Sequence, residues 1–289
     1  MLGYAGSIAG LGQLNLGLQK ADYRATFLNA ALGATTVSRA RPWLYNASLS
    51  VPVTRHLSAF AGTQTGLEDS GGAPENAANR NEQLPAARST QYEAGLRWNF
   101  GKGHLVVSAF QITKPYFGFD RSQPGVLKPF VEIGRVRHRG VEASLSGHFG
   151  ERLNLVAGAV LMQPRVVDPL IDPGLVGARP AGTPAIFAKL DINYRTDILG
   201  GLTPTASLAY TGSRVVGPPP LPGQAQLMLK PHPVVDLGLR QRFQLGAVPA
   251  SIRFVLQNVF DDAAWKVIAA NTLQMDDRRR ITLALAADF

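Results

Sequence analysis

The sequence predicts an all-β protein of about twelve antiparallel strands connected up and down, and three observations lead to this prediction. Apolar residues alternate with polar or small ones along most of the chain, most clearly from Tyr92 to Phe100, as in strands whose successive side chains point to opposite faces. The linkers between these runs alternate between long and short. Glycine and proline, at 30 and 20 residues, fit the many turns that such a chain needs.

Each alternating segment is interpreted as one strand. In chain order, the predicted strands cover 12–23, 43–53, 56–66, 90–100, 104–113, 130–149, 152–162, 184–195, 202–212, 235–243 and two segments within 250–289, the last ending on the apolar side chain of Phe289. The strand at 130–149 is long, and a bulge is predicted at Arg139 and Gly140.

The linker lengths predict that the strands cross a lipid bilayer. Short linkers lie at 52–55, 101–103, 150–151, 196–201 and 244–249, and long ones at 24–42, 67–89, 114–129, 163–183, 213–233 and 261–278. Membrane-spanning β-barrels have short turns on one side and long loops on the other. Aromatic residues lie near both ends of the strands, including Trp43 and Phe130 near long linkers and Trp98 and Phe149 near short ones, as bilayer interfaces favour. The long linker at 67–89 is predicted to be unable to build a core.

Several chemical functions are excluded or disfavoured by the composition. The chain has no cysteine, which excludes disulfides and thiolate metal sites, and its five histidines have no ligand spacing. It contains no GxSxG, P-loop or zinc motif, so we expect neither an enzyme nor a bound cofactor. It has no apolar run of about eighteen residues, and no membrane-spanning helix is therefore expected.

The net charge of +9 comes from scattered arginines and lysines rather than from one basic run, which argues against nucleic-acid binding. The densest places are the RVRHRG segment at 135–140 and DDRRR at 276–280. We expect these charges to line a water-filled lumen and a rim that faces anionic lipid headgroups, and the alternative is a basic funnel for an anionic ligand.

The acidic residues are interpreted as members of ion pairs or as solvated groups rather than as catalytic residues. Glu132 and Glu142 share the parity of one strand face, and the arginines between them predict an ion-pair ladder in a lumen. The aspartate pairs at 261–262 and 276–277 bracket the last long linker, and we expect them to be solvated, with weak calcium binding as the alternative.

Four segments resemble motifs of the TonB-dependent outer-membrane receptors, in the family's order. QNVFDDAAW, followed by a last strand ending in Phe289, resembles the end of those receptors. QYEAGLRWNF at 91–100, SAFQITKP at 108–115 and GRVRHRGVEASLSGHFGERLNLVAGA at 134–159 resemble three of their strands. The resemblance is clear over 92–289 and weaker before it.

The resemblance implies that residues 1–289 form the C-terminal portion of an antiparallel, up-and-down transmembrane β-barrel. The family's barrels have about 22 strands and a plug. With about twelve strands, we expect an open arc without the plug and the N-terminal strands, because strand tilt and stagger suit the larger ring; the alternative is a smaller closed barrel. Its unpaired edges are expected at 12–23 and 280–289. The N-terminus lacks the features of a secretory signal, so we expect the chain to be the back part of a longer protein or of a truncated gene.

The family also implies a location in the bacterial outer membrane, energy coupling to TonB through an N-terminal region, and uptake of a ferric siderophore or similar metal chelate. Aromatic and cationic side chains suit a flat anionic chelate. The candidate ligand contacts, all expected in loops, are Tyr116, Phe117, Phe119, Arg121, Arg165, Arg179 and Trp265. The alternatives are a passive porin-like channel and a soluble all-β binding protein.

Overall fold

The computed structural model describes residues 1–8, 12–29 and 34–287. It contains nineteen strands: β1 (Leu2–Ile8), β2 (Gly12–Lys20), β3 (Tyr23–Asn29), β4 (Ala34–Ala40), β5 (Trp43–Pro52), β6 (Leu57–Glu68), β7 (Ala87–Phe100), β8 (Gly103–Phe119), β9 (Phe130–Phe149), β10 (Leu153–Val167), β11 (Ile186–Tyr194), β12 (Thr203–Thr211), β13 (Arg214–Val215), β14 (Met228–Leu229), β15 (His232–Leu245), β16 (Val248–Gln257), β17 (Trp265–Ala269), β18 (Thr272–Met275) and β19 (Arg280–Ala287). One α-helical turn, α1 (Pro173–Val176), and one 3-10 turn, Ile198–Gly200, complete it.

Thirteen strands form one antiparallel sheet, which we call the wall, in the order β1-β2-β5-β6-β7-β8-β9-β10-β11-β12-β15-β16-β19. Each wall strand pairs with the next wall strand along the chain, which confirms the predicted up-and-down architecture. Among the described residues no ladder joins β1 to β19, so the sheet is open, as predicted. No helix in the described part of the chain is long and apolar enough to cross a bilayer.

The two edges of the wall match the prediction at one end only. The C-terminal edge is β19, as predicted, although Asp288 and the terminal Phe289 lie outside the described residues. The prediction that segment 12–23 forms the N-terminal edge was wrong. Here β1 pairs with β2 along its whole length, from Leu2 opposite Leu18 to Ile8 opposite Gly12, and β1 is therefore the edge strand. The sequence of β1, LGYAGSI, alternates apolar residues with small ones, so its contrast between faces is weak.

The wall has one apolar and one polar face because its registers keep the strand alternation in phase. Leu96 pairs with Val107, which pairs with Ala143. On the other face Ser108 pairs with Glu142, and its hydroxyl donates to that carboxylate at 3.2 Å. We call these the apolar face and the polar face. Large exposed apolar side chains fill the apolar face, including Leu16, Leu49, Leu96, Val107, Val141, Leu208, Leu237, Phe254 and Leu283.

Aromatic side chains cluster on the apolar face at the short-turn end of the wall. The ring centroids of Trp98 and Phe100 lie 4.8 Å apart, and those of Phe100 and Phe149 lie 6.2 Å apart. At the long-loop end, the Lys20 ammonium lies 5.1 Å from the Trp43 ring. Phe130 also lies at the long-loop end of its strand, as predicted, but its ring packs edge-on to Phe119 at 5.2 Å, against the buried residues of segment 69–86.

The long linkers contain more structure than predicted, and together we call them the loop layer: residues 21–29, 34–42, 69–86, 120–129, 168–185, 212–231 and 258–279. Three two-stranded hairpins lie in it, β3-β4, β13-β14 and β17-β18. The segment 69–86 does build a small core, contrary to prediction, because Ala73, Ala77 and Leu84 are buried together against the aromatic rings of 117, 119 and 130. The sequence did not predict this core because its apolar residues are few, mostly small and not periodic within a polar segment.

A bulge near the long-loop end of β9 changes the face on which Glu132 lies. The register shifts between Tyr116, which pairs with Gly134, and Phe117, which pairs with Glu132. Ile133 is thus the extra residue, and Gly134 takes φ 152°, a value that favours glycine. Glu132 and Glu142 therefore belong to opposite faces, and the predicted ion-pair ladder was wrong. The bulge predicted at residues 139–140 was also wrong, since the register is regular there.

Candidate ligand-binding site in the loop layer

A cavity of about 630 Å³ lies between the loop layer and the upper ends of β8 and β9. Tyr116, Phe117 and Phe119 of β8 line one side of it, and Arg121 follows directly after the strand. The other side is formed by apolar residues of several loops: Leu175, Val176, Leu227 and segments 218–220 and 270–272. The cavity therefore combines aromatic faces with a guanidinium group, a combination that suits a flat anionic ligand.

The turn after β8 is held by Asp120, a buried carboxylate. It accepts hydrogen bonds from the Ser122 backbone N–H at 3.0 Å and the Gln123 side-chain amide at 3.1 Å. The side-chain hydrogen bond from Ser122 is the main reason that the pKa of Asp120 lies below its ordinary value of 3.8. The carboxylate is therefore charged at neutral pH and fixes the direction in which the next residue, Arg121, leaves the strand.

Arg121 joins the β8-β9 loop to the β12-β15 segment. Its Nη1 donates to the Pro219 carbonyl at 2.6 Å and its Nη2 donates to the Pro220 carbonyl at 2.9 Å. The tertiary amides of a proline run have no N–H of their own to offer, but their carbonyls remain free to accept. This contact closes the cavity on the side of residues 218–220.

Two further contacts tie neighbouring loops together. The Gln226 side chain accepts from the Arg179 backbone N–H at 3.0 Å and donates to the Arg179 carbonyl at 2.8 Å. The buried Arg214 donates from Nη2 to the Trp265 carbonyl at 2.7 Å. Single side chains thus connect the β10-β11, β12-β15 and β16-β19 segments above the wall.

Four of the seven predicted ligand contacts meet at the cavity, namely Tyr116, Phe117, Phe119 and Arg121. The expectation that all seven lie in loops was wrong for the three aromatic residues, because β8 continues to Phe119. Arg165 lies on β10 with the alternation of the apolar face, directly opposite Arg137 of β9. Its prediction as a loop residue was also wrong.

The two remaining candidates lie elsewhere in the loop layer. Arg179 is engaged through its backbone with Gln226 and does not line the cavity. Trp265 begins the β17-β18 hairpin, outside the cavity lining, with its side chain about half exposed. Whether either residue contacts a ligand stays a prediction.

Sequence reasoning missed most of the cavity lining. Lys128, whose Nζ donates to the Gln123 carbonyl, and Val176 of α1 both line it. The Asp172 carboxylate caps α1 by accepting from the Gly174 N–H at 2.8 Å. The only signal for this turn was an Asp-Pro-Gly sequence in a long linker, which predicts a turn but not where that turn packs.

The QNVFDD motif forms a network of hydrogen bonds at the base of the last loop. Asn258 is buried with φ 49°, and its side-chain amide donates to the carbonyls of Asp262 at 2.9 Å and Asp277 at 3.1 Å. Asp261 receives two hydrogen bonds from the Arg278 guanidinium, at 3.0 and 2.7 Å. These hydrogen bonds hold the pKa of the Asp261 carboxyl well below its ordinary value of 3.8.

Asp261 is therefore engaged in an ion pair, which differs from the expected solvated aspartates. Within residues 1–8, 12–29 and 34–287, no group of three or more histidine, aspartate or glutamate side chains could hold a metal ion.

The open, up-and-down wall with long loops at one end has the architecture expected for part of a β-barrel, and the comparisons identify the family. The chain belongs to the TonB dependent receptor-like, beta-barrel family, whose model matches residues 10–259. Comparison with curated protein sequences gives no match.

Several solved structures have the same fold. The ferric preacinetobactin receptor BauA of Acinetobacter baumannii matches with a TM-score of 0.77 and 24% identity, over 99% of this chain and 42% of BauA. The ferripyoverdine receptor of Pseudomonas aeruginosa matches with a TM-score of 0.72 and 19% identity, over 98% of this chain and 37% of that one. The FrpB iron transporter of Neisseria meningitidis matches with a TM-score of 0.70 and 15% identity, over 98% and 44%. The chain thus spans about two fifths of the length of these structures.

Proposed function

We propose that this chain is the C-terminal barrel portion of an outer-membrane receptor that takes up a ferric siderophore, or a similar anionic iron chelate, with energy supplied through TonB. The cavity beside β8 is the observation that carries the proposal, since three aromatic rings and Arg121 converge there on the loop side of the wall. Family membership and likeness to receptors described as ferric-siderophore receptors support it.

In this proposal each part of the chain has its own task. The wall holds β8 rigid in the bilayer, and the upper end of β8 carries Tyr116, Phe117 and Phe119 to the lining of the cavity. The aromatic faces stack on the flat chelate, while the Arg121 guanidinium pairs with its negative charge. Coupling to TonB and passage across the membrane require the plug that the family's receptors have.

The proposal is tested with the protein expressed from its native gene and purified in detergent. Binding of a panel of ferric chelates of differing charge is followed by quenching of tryptophan fluorescence. We expect an anionic ferric chelate to bind, and Arg121→Gln to weaken binding about tenfold, since a charge-assisted hydrogen bond contributes about 1.5–3 kcal/mol. Arg55→Gln, in the short turn between β5 and β6 at the opposite end of the wall, is the matched control and should bind normally.

Two outcomes would overturn this assignment. The first is that no ferric chelate binds to the purified protein. The second is that Arg55→Gln weakens binding as much as Arg121→Gln does, which would show that the loss is a general effect of reduced positive charge. Because Arg121 also holds residues 219 and 220, Tyr116→Ala serves as a second variant, and we expect it to weaken chelate binding without releasing that loop.

A further inference from the structure

Four arginines lie on the apolar side of the wall at its long-loop end. Arg135, Arg137 and Arg139 alternate along β9, and Arg165 lies on β10. In the register between the two strands, Arg137 is directly opposite Arg165, while Arg139 is opposite Gln163. We call the four residues the arginine patch.

The arginine patch begins where the apolar surface ends. Val141 of β9 pairs with Leu161 of β10, and both are exposed apolar residues. The next position on the same face of β9 is Arg139, and rows two residues apart are separated by about 6.8 Å along a strand. On β7 the same alternation changes from Leu96 through Tyr92 to Arg88. If the apolar face contacts hydrocarbon, the arginine patch lies at the level of the lipid headgroups.

Nothing in the described chain neutralises these charges. None of the four guanidinium groups takes part in an ion pair within the ranges that the structure describes. Their only side-chain hydrogen bond there is a long one, from Arg139 Nη2 to Gln163 Oε1 at 3.4 Å. The nearest carboxylates in sequence are Glu132 beyond the bulge, Glu142 on the polar face and Asp168 after β10, and none of them forms an ion pair with the patch.

The direct pairing of Arg137 with Arg165 is unfavourable in the isolated chain. Residues opposite each other on antiparallel strands have Cβ atoms about 4.5–5.5 Å apart, and like charges in that position destabilise a sheet. An anion between the two guanidinium groups would remove this repulsion. Arginine suits a phosphate because its planar fork donates two parallel hydrogen bonds to the phosphate oxygens.

We propose that the arginine patch binds the phosphate groups of an anionic membrane lipid at the outer surface of the wall. The inference rests on the bilayer location contained in the proposed function, but not on the chelate. It also explains why arginines replace apolar residues on this face near the long-loop ends of β9 and β10. Charge complementarity and position favour a lipid over a free anion, because hydrocarbon-facing residues lie directly below the patch.

The experiment uses the protein from its native gene, reconstituted in phosphatidylcholine vesicles with or without diphosphorylated lipid A. After detergent extraction and purification, the lipid A retained per protein is measured by mass spectrometry. We expect the double variant Arg137→Gln/Arg165→Gln to retain about tenfold less lipid A than the unaltered protein, as the loss of charge-assisted hydrogen bonds predicts.

The matched control is Arg240→Gln/Arg253→Gln. These two arginines are also directly opposite each other, on β15 and β16, but they belong to the polar face. The control should retain lipid A like the unaltered protein. A further variant, Arg165→Glu, places a carboxylate opposite Arg137, so the sheet is expected to fold with an internal ion pair while lipid retention falls.

Equal retention in the two double variants would overturn the proposal. Displacement of the lipid by inorganic phosphate at low concentration would also overturn it, because the site would then take a free anion. Ferric chelate binding is measured on the same preparations. If the unaltered protein retains no lipid A but binds the ferric chelate, the lipid site alone is refuted, whereas retention of lipid A without chelate binding refutes the proposed function alone.

Discussion

In the wall, the environment of a side chain follows from its position in the strand alternation, whereas in the loop layer single polar side chains hold the backbone. Leu96, Val107 and Ala143 face one side because the two registers that join their strands are in phase. Above them, Asn258, Gln226 and Arg121 each join two segments through side-chain hydrogen bonds to carbonyl or N–H groups. The environment of a wall residue therefore depends mainly on the face to which it belongs, while the loop layer depends on individual polar side chains.

The sharpest way to break this comparison is to place a charge on each face of the wall at one height. Ala143→Arg puts a guanidinium on the apolar face, between Val107 and Ala159, whereas Ser144→Arg puts it on the polar face, between Val106 and Gly158. An arginine facing lipid near the bilayer midplane costs about 2–4 kcal/mol, and lumen-facing substitutions are tolerated. We expect the midpoint of urea unfolding in lipid vesicles to fall for Ala143→Arg only.

Similar losses in both variants would contradict the assignment of the two faces. A lower unfolding midpoint for Ser144→Arg alone would reverse the assignment of the two faces, and the arginine patch would then lie on the side that faces water.

The wall could be predicted from the sequence because its physical requirement is periodic. Twelve of its thirteen strands were predicted, because the sequence of each of these strands has a period-two apolar pattern and is bounded by a turn signal. The strand β1 was missed because glycine, alanine and serine give its second face little polar contrast. The bulge at Ile133 was misplaced because the pattern of a long strand shows a phase change only when both faces have strong contrast.

The loop layer could be predicted only in part, for the opposite reason. The aromatic residues 116, 117 and 119 were recognised by type, and β8 brings them to one cavity. Their partners come from segments about 100 residues away, such as Pro219 opposite Arg121, and no local pattern encodes such a contact. Arg165 was assigned to a ligand because it fell in the predicted linker 163–183, whereas β10 continues to Val167 and pairs Arg165 with Arg137.

A smaller effect is expected from Asn258→Ala, which tests the dependence of the loop layer on single residues. The change leaves the carbonyls of Asp262 and Asp277 without the amide that now donates to them, and it places a Cβ-bearing residue without a polar side chain at positive φ. Unsatisfied buried polar groups cost about 1–3 kcal/mol each. We expect faster proteolysis within 258–279, measured by mass spectrometry of the fragments, and little change in the unfolding midpoint of the wall.

The control for this variant is Asn154→Ala, the same substitution on the polar face of β10. It should leave proteolysis of the last loop unchanged. If Asn258→Ala unfolded the wall as a whole, the two regions would be one cooperative unit, and the comparison would fail.

The smallest expected effect is a response of the last loop to acid. The hydrogen bonds and charge of Arg278 lower the pKa of Asp261 below its ordinary value of 3.8. The contribution of this pair to loop stability is therefore fully present above that ordinary value and is lost as the pH falls through the lower pKa of the folded state. Because the pair is at the surface, salt should weaken its contribution.

Trp265 reports on this loop, because it begins the hairpin that the Asp261–Arg278 pair encloses, while Trp43 and Trp98 belong to the wall. In a protein with Trp43→Phe and Trp98→Phe, we expect Trp265 emission to be constant from pH 7 down to the ordinary carboxyl pKa of 3.8, and to change only at lower pH, as the pH falls toward the lowered pKa of the folded state. Adding Asp261→Asn removes the titrating carboxylate, so its emission at neutral pH should already resemble that of the acid form. A change that persists unaltered in the Asp261→Asn protein would assign the acid response to another group, and the pair would then contribute nothing measurable to holding the loop against the wall.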